Sequence, residues 1–123
     1  MNALVVDDSA AVRRLEQRAL EEAGWSVTAA QNGREALVAL AAMAACHLIV
    51  TDWHMPEMDG MALVRAVRAE PRWNDVLILM VTSDGVMSTI ETALAAGATD
   101  FIIKPFSPVT LRERVAELVT PHV

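Results

Sequence analysis

Apolar runs and helical patterns alternate five times along the chain. Ala3–Val6 reads as a short buried strand. Val12, Leu15, Ala19 and Ala23 then recur at helical spacing, and Gly24 closes that helix. Ser26–Ala30 is a weaker strand whose mixed polarity suits a sheet edge. After the Asn32-Gly33 turn, Ala36, Leu37, Leu40 and Met43 form the second helical stripe. The alanines of 39–45 favour helix over linker. His47–Thr51 is the third strand; Gly60 opens a helix with Leu63, Val64 and Val67 on one face, stopped by Pro71. Val76–Val81 is apolar without alternation, as a central parallel strand covered on both faces requires. Met87, Ile90 and Leu94 make the fourth helical face, closed by Gly97, and Phe101–Ile103 is the fifth strand. Ser107 is placed to cap a last helix with Pro108 at its first position and Leu111, Val115 and Leu118 along it.

This alternation predicts an α/β domain with one parallel sheet and right-handed crossovers. No linker, repeat or low-complexity tract interrupts it. A single domain over residues 1–123 with no output domain is expected, beginning at a natural N-terminus because Met1 leads straight into the first strand.

The polar exceptions fall in one place. Asp7 and Asp8 follow strand one, Asp52 strand three, Thr82 and Ser83 strand four, and Lys104 strand five. All lie at the carboxyl edge of the sheet, where open parallel sheets bind ligands at the reversal of strand order. With strand two outermost, the order 2-1-3-4-5 known from other doubly wound folds sets Asp7, Asp8 and Asp52 side by side. Three carboxylates this close repel, and one stays protonated unless a cation joins them. Oxygen-only ligands suit Mg²⁺, with Mn²⁺ as an alternative. Lys104 adds a point charge for a phosphoryl oxygen, and Thr82 a hydroxyl donor. A carboxylate can itself attack phosphorus and form an aspartyl phosphate. Asp52 stands alone and central, so it is the nucleophile of choice; Asp7 and Asp8 come as a pair suited to metal.

Composition narrows the partners. The chain is 54% hydrophobic with a net charge of −6, so it can build a core and lacks the basic footprint of nonspecific nucleic-acid binding. Its one cysteine, Cys46, excludes an internal disulfide and reads as a small buried side chain. The N-terminus has no signal-peptide pattern and no apolar run approaches a membrane span, so a soluble cytoplasmic protein without a membrane partner is expected.

The segments LVVDDS, TDWHMPEMDG, LILMVTSD and AGATDFIIKPF, in this order and at these strand ends, resemble the receiver domain of two-component response regulators. The single-domain chemotaxis (CheY-like) type is the most similar, and the resemblance covers almost the whole chain. It implies a flavodoxin-like, doubly wound five-stranded sheet of order 2-1-3-4-5 with five helices. It implies that Asp52 accepts a phosphoryl group from a histidine kinase, a histidine phosphotransfer protein or a small phosphodonor. Asp8 and Asp52 then ligate Mg²⁺ directly, Asp7 through water, and His54 by its backbone carbonyl. Thr82 moves toward the phosphoryl oxygen, Lys104 pairs with it, and Lys104-Pro105 is cis. Phe101 takes the place of the switching aromatic, which turns as Thr82 moves and alters the face made by helix four, strand five and helix five. The chemotaxis prototype carries tyrosine there, so a contact through its hydroxyl is not implied. The side chains of His54 and Asp84 flank the path of the attacking water and tune dephosphorylation. His54 is expected to make the phosphoryl lifetime pH-sensitive where imidazoles titrate.

The resemblance describes a phosphoacceptor signalling protein and not an enzyme, beyond self-phosphorylation and self-dephosphorylation. Its partner is a kinase and an unidentified downstream protein, and it is a monomer or weak dimer. A relay carrier and a receiver piece of a larger regulator stay open as alternatives. A haloacid-dehalogenase-like phosphohydrolase fits less well: its two aspartates are separated by one residue, whereas Asp7 and Asp8 are adjacent. The blander expectations are that Asp8 or Ser9 caps helix one, that His47 and His122 have no role, and that Met55, Met58 and Met61 only pack. Trp53 should border the site, with Trp25 and Trp73 packing near turns. The acidic positions of helices one and three read as solvated surface.

Overall fold

The computed structural model describes residues 1–83, 85 and 87–120. Strands β1 (Asn2–Val6), β2 (Ser26–Ala30), β3 (Leu48–Asp52), β4 (Leu77–Thr82) and β5 (Asp100–Ile103) form one sheet. All its pairings are parallel, in the order β2-β1-β3-β4-β5. Helices α1 (Ala10–Glu22), α2 (Gly33–Ala42), α3 (Gly60–Arg68), α4 (Met87–Ala96) and α5 (Pro108–Val119) connect and cover it.

Side chains alternate across a strand, so the central strands feed two cores. Leu4, Val6, Ile49, Ile78 and Met80 pack with residues of α2 and α3 on one face. Ala3, Val5, Leu48, Val50, Leu79 and Val81 pack with Ala19 and Leu20 of α1 and Leu111 and Val115 of α5 on the other. β3 is buried along its whole length, which is why it reads as an unbroken apolar run. Edge strand β2 is mostly exposed and carries the mixed polarity.

Helix ends follow local chemistry. Ser9, Asn32, Asp59 and Ser107 each accept a backbone N–H of the first turn. Ser9, and not Asp8, is therefore the cap of α1. Gly97 after α4 has a φ of 120°, and a Cβ there would meet the Arg68 side chain at 2.6 Å. The Arg68 guanidinium uses that gap to donate to the carbonyls of Gly97, Trp73 and Val76, tying α3, α4 and the entrance of β4 together.

Several expected boundaries and faces shift. β3 and β4 each run one residue further, because Asp52 pairs with Val81 and Thr82 with Ile103 in the ladder; His47 lies before β3 instead of opening it. Helix α3 ends at Arg68, and Pro71 begins a 3₁₀ turn to Trp73. Helix α2 stops at Ala42, short of the alanine run's end. In α4 the buried positions are Ile90 and Ala93, while Met87 and Leu94 are exposed. The small Ala93 packs in the core cluster with Ala98 and residues of α3, turning the larger Leu94 outward. Cys46 is buried, its thiol donating to the Leu48 carbonyl, and burial pushes its pKa up to about 11. Trp73 is buried and covered by the Arg72 guanidinium. His122 and Asp84 lie outside the described residues. No helix among the described residues is long and apolar enough to cross a membrane.

Candidate functional site

Register brings the acids together. Val6 pairs with Thr51 across β1 and β3, so the chain leaves the sheet at Asp7 and Asp52 side by side. Carboxylate oxygens of Asp7, Asp8 and Asp52 all lie within 4.8 Å of one another. Asp7 is fully buried, Asp52 nearly so, and Asp8 exposed. The Lys104 ammonium reaches in from the end of β5, 3.1 Å from Asp7 Oδ2 and 3.3 Å from Asp52 Oδ2.

Backbone groups fix the two buried carboxylates. The Ser9 N–H donates to Asp7 Oδ1 at 2.8 Å, and the Trp53 N–H donates to Asp52 Oδ1 at 2.9 Å. The Arg13 guanidinium holds the Asp7 carbonyl at 2.8 Å. Gly60 seats the start of α3 directly on β3: a Cβ there would lie 2.2 Å from the Asp52 carbonyl oxygen. Between them, the Gly60 N–H donates to the Trp53 carbonyl at 2.7 Å. In the same loop Glu57 takes a left-handed φ of 67°, uncommon for a residue with a side chain.

Thr82 is buried at the end of β4, and its carbonyl accepts the Lys104 N–H at 2.8 Å. The Lys104-Pro105 peptide bond is cis. Phe101 is half-buried beside the core cluster of Met80 and Ala98, and its carbonyl accepts from Arg114. Trp53 is half-buried at the rim, with the exposed His54 ring tilted toward it at 6.2 Å.

The electrostatics follow from one cation among several acids. Burial raises the Asp52 pKa and the Asp7 charge raises it further, against the opposing pull of Lys104 and the Trp53 N–H. Burial works against the Lys104 ammonium, but its bonds to Asp7 and Asp52 outweigh it and hold its pKa above the ordinary value. The pocket is short of positive charge.

Sequence reasoning misses three contributors. Arg13 and Gly60 act on backbone atoms, and no side-chain pattern announces that. Glu16 is the third. Its charge reads as solvated surface, yet it is fully buried on the inner face of α1. The sequence carries the signal: Glu16 stands four residues after Val12 and four before Leu20, on the apolar stripe.

The family model of the response regulator receiver domain matches residues 3–116. The chain belongs to the response regulator receiver domain family. This places it among the response regulators of two-component signal transduction. It is 42% identical over 116 residues to chemotaxis protein CheY1 of Helicobacter pylori, covering 94% of each chain. It is 41% identical over 120 residues to the chemotaxis protein CheY homologue of Campylobacter jejuni, covering 97% of this chain and 92% of that one. Among solved structures, chemotaxis response regulator CheY4 of Vibrio cholerae superposes with a TM-score of 0.90 at 36% identity, covering 96% of this receiver and 98% of that chain.

Proposed function

We propose that Asp52 is the phosphoacceptor and that the reaction needs a divalent cation held by Asp7, Asp8 and Asp52. The observation that carries this is the position of the Asp52 carboxylate, at the carboxyl edge of the sheet and within reach of both acids and Lys104. The donor set suits Mg²⁺: every candidate ligand is a carboxylate oxygen, and exposed Asp8 leaves a way in from solvent. When bound, the ion supplies neutralising charge for the acids and for a phosphoryl group. His54, two residues beyond Asp52, is the candidate for a further backbone ligand.

The chain's own residues define the rest of the step. A carboxylate oxygen of Asp52 attacks phosphorus, an O–P bond forms, and the bond from phosphorus to the donor breaks with its electron pair leaving on the donor. Lys104, already beside Asp52, pairs with a phosphoryl oxygen and offsets the added charge. Thr82 offers its hydroxyl from the next strand. Because its carbonyl is bonded to Lys104, a movement of either is felt by both. Phe101 then repacks, and the face of α4, β5 and α5 presents a different surface to a protein target. The donor is a histidine kinase or a histidine phosphotransfer protein, and chemotaxis is the pathway to test first, since the relatives above are chemotaxis proteins.

Incubation with a radiolabelled phosphohistidine protein tests this reading. Label should pass to the wild type, be released by hydroxylamine as an acyl phosphate is, and fail to pass to Asp52→Asn. Hydroxylamine-resistant label, or equal labelling of Asp52→Asn, would place the phosphoryl group elsewhere.

A further inference from the structure

Among the described residues, the buried polar ones are Asp7, Glu16, Thr51, Asp52 and Thr82. Asp7, Asp52 and Thr82 belong to the reaction above, and the Glu16 carboxyl oxygens lack a hydrogen-bond partner. Thr51 has no part in that reaction, yet its hydroxyl is engaged beside it. The residue is fully buried in β3, one position before Asp52, and pairs with Val6 of β1 and Met80 of β4. Both neighbours belong to the apolar core against α2 and α3. Valine has the same shape and suits a buried strand without a polar atom to satisfy, so the hydroxyl calls for a reason.

The Thr51 hydroxyl donates to the Asp52 backbone carbonyl at 3.0 Å. That carbonyl and the Trp53 N–H are the two ends of one peptide group. The N–H donates to Asp52 Oδ1 at 2.9 Å and to the Val81 carbonyl at 3.0 Å. A peptide is planar, so a bond that fixes its C=O fixes its N–H as well. Gly60 bounds the same carbonyl, close enough that a Cβ there would stand 2.2 Å from it. The other carboxylate oxygen, Asp52 Oδ2, lies 3.3 Å from the Lys104 ammonium. One peptide plane and one lysine thus orient the Asp52 carboxylate, and Thr51 holds the plane.

We propose that Thr51 is a positioning residue for phosphoryl transfer: its hydroxyl holds the Asp52–Trp53 peptide so that the Trp53 N–H keeps Asp52 Oδ1 and Oδ2 stays turned to Lys104. Thr51 acts through the backbone and touches neither the phosphoryl group nor a metal. Without the hydroxyl the peptide tilts more freely, the carboxylate follows, and fewer encounters with phosphorus have bonding geometry. This rests on the reading of Asp52 as the phosphoacceptor.

Three substitutions separate positioning from packing. Thr51→Val keeps the shape without the hydroxyl, Thr51→Ser keeps the hydroxyl without the methyl, and Thr51→Ala keeps neither. Initial rates of phosphoryl addition from acetyl phosphate at saturating Mg²⁺ are followed by intact mass, and urea midpoints report stability. Thr51→Ser should react at close to the wild-type rate although its lost methyl lowers the midpoint. Thr51→Val should react about fivefold more slowly, the worth of one hydrogen bond, with a midpoint above that of Thr51→Ser. Thr51→Ala should be as slow as Thr51→Val, so its comparison with Thr51→Ser decides the matter even if Thr51→Val does not fold. Rates that follow the midpoints, or equal rates in Thr51→Ser and Thr51→Ala, overturn the role of Thr51 and leave Asp52 standing as the phosphoacceptor. No addition to the wild type overturns the reading of Asp52 and this inference with it.

Discussion

At the scale of single residues, the site is a problem of too many acids for one lysine. The folded chain holds the Glu16 and Asp52 pKa values above their ordinary 4.5 and 3.8, through burial first and the neighbouring Asp7 charge second. The folded state then binds more protons than the unfolded one above those values, so both groups subtract stability as pH rises through their raised folded-state pKa values. Lys104 follows the same sign at higher pH: its pKa is raised, so the stability it contributes is present at neutral pH and lost only as pH climbs beyond its ordinary 10.5. Without divalent cations, urea midpoints should therefore fall from mildly acidic to neutral pH. Glu16→Leu should remove much of that slope and be more stable at neutral pH by about 1–3 kcal/mol, the penalty of an unpartnered buried polar group. A Glu16→Leu protein less stable than wild type at neutral pH would mean that Glu16 has a partner. His54 carries a separate expectation. His54→Ala should change the phosphoryl lifetime, because the exposed ring lies two residues beyond Asp52. A lifetime equal to that of the wild type would remove the imidazole from the reaction.

At the scale of elements, strand ends and helix starts place the chemistry. Asp59 caps α3 while Gly60 lets that helix rest on the backbone of Asp52. Gly60→Ala must push α3 away from rigid backbone, so it should cost about 3 kcal/mol or more, at the upper end for single substitutions. It should also slow phosphorylation of whatever fraction stays folded; denaturant titration and phosphorylation rates check the two effects. Wild-type stability in Gly60→Ala would show that the contact can relax. Much of this level is legible in sequence. Ser107-Pro108 and the glycines at 24 and 97 mark helix ends because capping depends on local residues; Asn32-Gly33 reads as a turn, and Asn32 also caps α2. The face of α4 is not legible in the same way. Met87, Ile90 and Leu94 make a plausible stripe, but the packing of Ala93 in the core and the clamp of Arg68 on Gly97 decide the rotation, and both are tertiary. Glu16 is illegible for a different reason: its residue type points to solvent, while its position on the apolar stripe of α1 puts it inside.

At the scale of the molecule, alternation of strand and helix gives the α/β class, while the order β2-β1-β3-β4-β5 comes with the family resemblance and not with periodicity. That order brings Asp7 beside Asp52, with Lys104 reaching them from the last strand. A cation binding only the folded pocket should stabilise the whole chain, by about 2.7 kcal/mol at a hundredfold excess over Kd. Thermal melts with and without Mg²⁺ should show a rise in wild type that shrinks in Asp52→Asn. An equal rise in both would place the ion away from Asp52.

The most direct test is the intact mass after incubation with acetyl phosphate, with and without Mg²⁺, for wild type and Asp52→Asn. One phosphoryl group should add to the wild type in the presence of Mg²⁺, none without it, and none to Asp52→Asn. Addition that ignores Mg²⁺ or survives Asp52→Asn would contradict this.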